Sequence, residues 1–314
     1  MSLSGQRLHG VWVAMVTPWD EAGAAPRRGI LAGLIDRFAR AGVDGLFILG
    51  TTGEGGLLSP EEREVFAKAT LEEARGKLPV IVHTGHDRTA MAVELSLHAK
   101  AIGATAVAVS PPARYRLDES ELEAHFLKIA HALGGFPMLL YDIPCATGNP
   151  LSADLLGRIA AQAPNVAGAK VSRSDWEAWE GYLARADSLA LFVGTDTLCL
   201  PVLEMGASGI VSGPANLMPE LYVRLYRAVR GDIAQARAYQ DIVRRLCEAV
   251  HYGTPLAFIK QGLELLGWAV GPTLSPLRPL RAAELAELRQ ALAQLSEVAA
   301  RCGRKEVVAG KHPE

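Results

Sequence analysis

Short apolar runs rich in Val, Ile and Leu alternate along this chain with longer amphipathic stretches. Eight of the short runs read as strands: VWVAMVTP (11–18), GLFILGTT (45–52), PVIVHTG (79–85), AVAVSPP (106–112), PMLLYDIP (137–144), VAGAKVS (166–172), LALFVGTD (189–196) and GIVSGPAN (209–216). Most are apolar without interruption, the pattern of strands buried on both faces. The segments between them carry helical periodicity. SPEEREVFAKATLEEARG (59–76) is one example. Its Ser59 and Pro60 give an N-cap and a first-turn signal, and Glu61 and Glu62 suit the positive end of the helix dipole.

Eight strands alternating with helices over about 220 residues predict a closed (β/α)8 barrel, a TIM barrel in the α/β class. A doubly wound sheet is the rival. The strand count disfavours it, and no GxGxxG opens the first helix. After Asn216 the strand signals stop and only helices are predicted, with the Pro-rich break LSPLRPL (274–280) before the last one. The expected organisation is a catalytic barrel over 8–218, a C-terminal helical subdomain over 219–300 and a flexible tail over 301–314.

Composition narrows the class. The chain has 314 residues, 49% of them hydrophobic and 21% charged, which suits a globular enzyme with a large core. A net charge of −2 gives no sign of a nucleic-acid or acidic-membrane partner. No apolar run reaches the roughly 18 residues of a membrane helix, and no basic segment followed by an apolar one marks a signal peptide. The four cysteines, Cys145, Cys199, Cys247 and Cys302, form no CxxC pair. Together these predict a reduced, cytoplasmic setting.

In a barrel of this kind the active site lies where strands end and βα loops begin. GTTGEGG (50–56), YDIPCATG (141–148) and Lys170 stand at such positions. The other lysines, at 68, 77, 100, 128, 260, 305 and 311, fall in helical or tail stretches and read as solvated charges. Lys170 alone interrupts an apolar strand. An ammonium buried without a partner tends to lose its proton, and a neutral amine attacks carbonyl carbon to give a Schiff base. The bland alternative is a structural pair with a carboxylate, of which Asp175 is nearest in sequence. Tyr141, on the neighbouring strand, is a candidate proton shuttle or an ordinary packing residue. Thr51 and Thr52 sit in a glycine turn whose N–H groups suit a carboxylate. His83 and His86 form an HxxH pair without an evident third metal ligand. The glycine-rich strand eight could face phosphate, but it contains no Lys or Arg.

Taken in order, these segments resemble the dihydrodipicolinate synthase / N-acetylneuraminate lyase family of Schiff-base enzymes. The likeness spans about residues 8–300. It is carried by GVWVAMVTPWDEAG, AGVDGLFILGTTGEGGLLSPEER, YDIP…TG, GAK, GASGIVSGPANLMPEL and GTPLAFIKQGLELLGWAVGPTLSPLRPL. The resemblance implies a barrel with a helical C-terminal part, commonly a homotetramer built from dimers, and no metal or organic cofactor. It implies that Lys170 forms an imine with pyruvate or a related 2-keto acid. Tyr141 would be the proton relay, Thr52 its link, and Thr51 and Thr52 the substrate turn. Gly194 and Val211 would line the pocket through their backbone. The chain departs from the synthases at two places. Pro112 and Ala113 stand at their tyrosine pair, with Tyr115 available only after a shift, and Ala146 replaces the Arg that holds the second substrate's carboxylate. The expected activity is therefore a 2-keto acid aldolase, lyase or dehydratase whose partner is an aldehyde or sugar acid. A true 4-hydroxy-tetrahydrodipicolinate synthase, a 2-keto-3-deoxy sugar acid enzyme and a catalytically silent keto-acid binder remain the alternatives. Arg114, Arg116, Arg173, His83 and His86 are the candidate specificity residues.

Overall fold

The computed structural model describes residues 8–20, 25–251 and 256–309. Eight parallel strands close into a barrel in sequence order, with β1 (Gly10–Ala14) paired to both β2 (Gly45–Ile48) and β8 (Gly209–Ser212). The strands between are β3 (Val80–His83), β4 (Ala106–Val109), β5 (Met138–Asp142), β6 (Val166–Val171) and β7 (Ala190–Val193). Helices α1 (Arg28–Ala41), α2 (Pro60–Ala74), α3 (Thr89–Ala101) and α4 (Glu119–Leu133) follow the first four strands. The short α5 (Pro144–Thr147) and then α6 (Ala153–Gln162) follow β5, α7 (Trp176–Leu183) follows β6, and α8 (Cys199–Glu204) follows β7. Beyond β8 come α9 (Pro219–Ala228), α10 (Ile233–Ala249), α11 (Leu256–Leu265) and α12 (Ala282–Ala309). The α12 helix continues past residue 300, where the sequence predicts a tail; residues 310–314 lie outside the described residues.

Alternation along each strand sorts side chains into two buried layers. Trp12, Phe47, Ile81, Ala108, Leu139, Tyr141, Phe192 and Val211 fill the barrel interior. Val11, Val13, Leu46, Ile48, Val82, Val109, Leu140 and Val193 face outward against helix residues such as Phe38, Phe66, Phe126 and Trp179. Each large apolar side chain so buried contributes about 1.5–3 kcal/mol. Both faces are covered, which is why the strands read as unbroken apolar runs.

All eight predicted strands exist, and their starts agree with the structure to within one residue. Their predicted ends run three or four residues too far in most cases, as with 45–52 against Gly45–Ile48. The overshoot has a physical cause: the loop residues are themselves buried and apolar, as Leu49 and Met15 are. Helix α2 begins as predicted. Ser59 Oγ accepts the Glu62 N–H, and the Glu62 carboxylate accepts the Ser59 N–H, closing a capping box.

Candidate active site

Lys170 lies fifth in the six-residue β6 run, just before Val171, in register with Tyr141 on β5 and Phe192 on β7. It points inward and is 5% exposed. Its Nζ stands 4.1 Å from the centre of the Tyr141 ring and 4.4 Å from that of Phe47. Among the described residues it makes no ion pair. Asp175, its nearest carboxylate in sequence, is instead paired bidentately to Arg173 at 2.8 and 2.9 Å. Gly194 leaves room for the lysine stem: a Cβ there would meet Lys170 Cε at 3.0 Å and Ser172 Oγ closer still. Val211 lies in the barrel lining, paired with Trp12. Asp196, just after β7, is fully buried and accepts a hydrogen bond from the Ser212 hydroxyl. Burial pushes its carboxyl up, while Ser212, Tyr222 and the Lys170 charge oppose the rise.

The loop after β2 is wound tightly. Leu49 and Glu54 both adopt left-handed backbone, with φ of 60° and 54°, at about 1–2 kcal/mol each. Long-range partners hold that strain. Thr17 Oγ1 donates to Gly53 O at 2.6 Å. Glu54 accepts from Lys260 Nζ at 2.6 Å through one oxygen and from Leu274 N at 2.6 Å through the other. Lys260 is 1% exposed and donates also to Pro272 O. The expectation that every lysine but Lys170 is solvated is therefore wrong for Lys260. It sits on a helix, but on its buried side, facing a carboxylate brought from the opposite end of the chain. Between the strained residues, Thr51 is exposed and Thr52 half-buried. No hydrogen bond joins Thr52 to Tyr141 among the described residues; a Cβ on Gly213 would come within 2.8 Å of Thr52 Oγ1.

Above Tyr141 opens a cavity of about 500 Å³. Thr51, Tyr141, His83 and Ser110 line it, with Ile143, Pro111, Ala113 and Ala146 as apolar wall and Arg63, His86 and Asp87 farther round. Lys170, Thr52, Gly194 and Val211 are not among the lining residues; Lys170 stands behind the Tyr141 ring. His83 Nδ1 lies 3.0 Å from Leu49 O and its Nε2 3.0 Å from Ser110 Oγ. Burial, the Arg63 guanidinium and the Lys170 charge lower its pKa to about 3, against a smaller rise from the Leu49 carbonyl. Arg63 donates to His83 O and Gly85 O at 2.8 and 3.0 Å, and burial brings its pKa down to about 10.

The two departures from the synthase pattern fall on this wall. Pro112 is buried and Ala113 exposed, while Tyr115 is 70% exposed. Buried Asn149 pins this loop, donating to Pro112 O and Tyr115 O at 2.7 Å and accepting from Leu117 N. Arg116 lies over Gly148, where a Cβ would come within 2.6 Å of its Nη1. Arg114 faces Asp87 at 3.6 Å, and Arg173 is turned to Asp142 and Asp175. Cys145 is exposed. In the strand-eight loop, Asn216 donates to Ala14 O and Gly213 O at 2.7 Å, so its side chain stitches the barrel seam.

Sequence and structure comparisons bear on the family and the fold. The model of the dihydrodipicolinate synthetase family matches residues 7–295. An uncharacterised DapA-like lyase of Halobacterium salinarum is 38% identical over 290 residues, which cover 92% of this chain and 94% of that protein. The solved 4-hydroxy-tetrahydrodipicolinate synthase of Methylacidiphilum fumariolicum SolV superposes with a TM-score of 0.90 at 27% identity, over 95% of this chain and 99% of that one. YagE, a prophage protein of the dihydrodipicolinic acid synthase family from E. coli K12, was solved in complex with pyruvate. It superposes with a TM-score of 0.87 at 28% identity, over 92% and 98%.

Proposed function

The chain belongs to the dihydrodipicolinate synthetase family of Schiff-base lyases, and we propose that Lys170 is the lysine through which it acts on pyruvate or a related 2-keto acid. The observation that carries this reading is a buried lysine that makes no ion pair among the described residues, set against two aromatic faces at the mouth of the barrel. The amine adds to the keto carbon, and loss of water gives an imine. That imine is cationic when protonated, and the Tyr141 and Phe47 faces stabilise a cation at this point by about 1–2 kcal/mol. The keto acid's carboxylate is held by the Thr51–Thr52 turn, with the Gly194 and Val211 backbones bordering the nucleophile. Tyr141 passes protons to and from the carbinolamine and the partner's oxygen, and Thr52 orients it once substrate is bound.

The partner is an aldehyde without a second carboxylate, formed or consumed by aldol chemistry. Ala146, Pro112 and Ala113 support this, since no arginine or tyrosine stands where a synthase grips a carboxylated aldehyde. The relatives and structures that carry the synthase name favour lysine-pathway chemistry as the second reading. We place the enzyme in the cytoplasm as a homotetramer, with the helices from 219 to 300 as a subdomain that braces the site loop through Lys260. No helix among the described residues is long and apolar enough to cross a membrane. The test is pyruvate release from a panel of 4-hydroxy-2-keto acids, coupled to a dehydrogenase. Wild type should turn over at least one, Lys170→Ala none, and Tyr141→Phe about 10²–10⁴-fold more slowly. Release unchanged in Lys170→Ala would refute the reading. Keto-acid binding with no turnover on any substrate would favour a silent binder.

A further inference from the structure

His83 ends β3 with both ring nitrogens assigned by its surroundings. The Leu49 carbonyl can only accept, so Nδ1 carries the proton and donates to it. In the neutral ring Nε2 is then a lone-pair acceptor, and the Ser110 hydroxyl donates to it. The imidazole stays neutral at working pH because it is buried beside Arg63 and Lys170. The pair is built in from several sides. Arg63 fixes the carbonyls of His83 and Gly85. A Cβ at Gly85 would strike Ser110 Oγ at 2.5 Å and His83 Nε2 at 2.8 Å, so only glycine leaves them their place. The His83 ring stands edge-on to Tyr141, with centres 5.7 Å apart and planes at 89°. His83, Ser110 and Tyr141 all line the same cavity.

We propose that the His83–Ser110 pair is the specificity element that reads a hydroxyl group on the second substrate. The inference rests on the lyase reading above. A hydroxyl can donate to Nε2 and accept from Ser110 as the serine rotor turns toward it. A carboxylate has no proton to give, so its oxygens would meet the Nε2 lone pair, while the Arg63 guanidinium on the same wall is taken up by the His83 and Gly85 carbonyls. The wall therefore selects a hydroxyl-bearing, uncharged aldehyde over both a deoxy analogue, which leaves the Ser110–Nε2 bond in place and gains no hydrogen bond from the pair, and a carboxylated one. The two histidines of the HxxH pair are engaged separately: His83 is committed to Leu49 and Ser110, and His86 Nδ1 accepts from Arg88 N.

The experiment measures pyruvate consumption with glycolaldehyde, acetaldehyde and succinic semialdehyde. Wild type should favour glycolaldehyde by about tenfold or more in kcat/KM. Ser110→Ala, which keeps the His83–Leu49 bond, should lose most of that preference through a raised KM for glycolaldehyde. His83→Phe should lose it as well. Borohydride trapping of pyruvate on both variants shows that the first half of the reaction survives. Preference for succinic semialdehyde in wild type, or a glycolaldehyde preference kept in both variants, would overturn the assignment alone. A wild-type chain that traps no keto acid would overturn the lyase reading, and this one with it.

Discussion

Replacing Lys260 by methionine takes the cation out of a buried pair and leaves the anion behind. Glu54 is buried in the wild-type fold, and its two oxygens are spoken for by Lys260 Nζ and Leu274 N. Removing one partner of such a pair typically costs about 3–5 kcal/mol. The structure supplies a tighter bound, because the stranded carboxylate can escape by taking up a proton. Neutralising an ordinary glutamate of pKa about 4.3 costs about 3.7 kcal/mol near pH 7 and about 1 kcal/mol near pH 5. The lost hydrogen bond to Pro272 O adds about 1 kcal/mol. The variant should therefore be less stable than wild type by about 4–5 kcal/mol near neutrality and by about 2 kcal/mol near pH 5. Urea unfolding of both proteins at the two pH values measures the difference. The double variant Glu54→Gln/Lys260→Met should recover most of the loss, since the amide oxygen still accepts from Leu274 N. A penalty near zero at neutral pH, one that does not shrink in acid, or a double variant no better than the single would refute the reasoning. The loop that Glu54 anchors carries Thr51 and Thr52, so KM for the keto acid should rise in the single variant.

Three further outcomes follow from particular contacts. Gly194→Ala puts a methyl 3.0 Å from Lys170 Cε and onto Ser172 Oγ, so imine formation, read as trapped adduct per hour, should fall at least about tenfold while the fold survives. Asn149→Ala removes three hydrogen bonds, each contributing about 1 kcal/mol, from the loop over 112–117; limited trypsin digestion should then cut at Arg114 or Arg116 faster than in wild type. Burial lowers the His125 pKa to about 4, so the unfolded chain binds the extra proton. The stability this lends is present above the unfolded value of about 6.5 and is lost as pH falls toward 4, and thermal melts of His125→Gln should decline less steeply across that window.

The barrel was legible because a strand covered on both faces has no polar side to show, and eight such runs left few topologies. Strand ends were less legible, because Leu49 and its neighbours continue the apolar run while the backbone has already turned left-handed. Lys170 stood out because a charge inside an apolar strand has no solvated explanation. Lys260 did not, because a lysine at helical spacing reads as surface; its partner lies 206 residues away, and no local pattern encodes that pairing. His83 was legible as a candidate specificity residue, but its partners were not. Its HxxH spacing to His86 says nothing of them, since Leu49 and Ser110 lie 34 and 27 residues distant.

The most direct test of the account is intact mass after incubation with pyruvate and borohydride, followed by peptide mapping, with Lys170→Ala alongside. The account predicts one adduct of reduced-pyruvate mass per chain, on the peptide that holds Lys170, and none in the variant. An adduct on another lysine, or none in folded wild type across a panel of 2-keto acids, would contradict it.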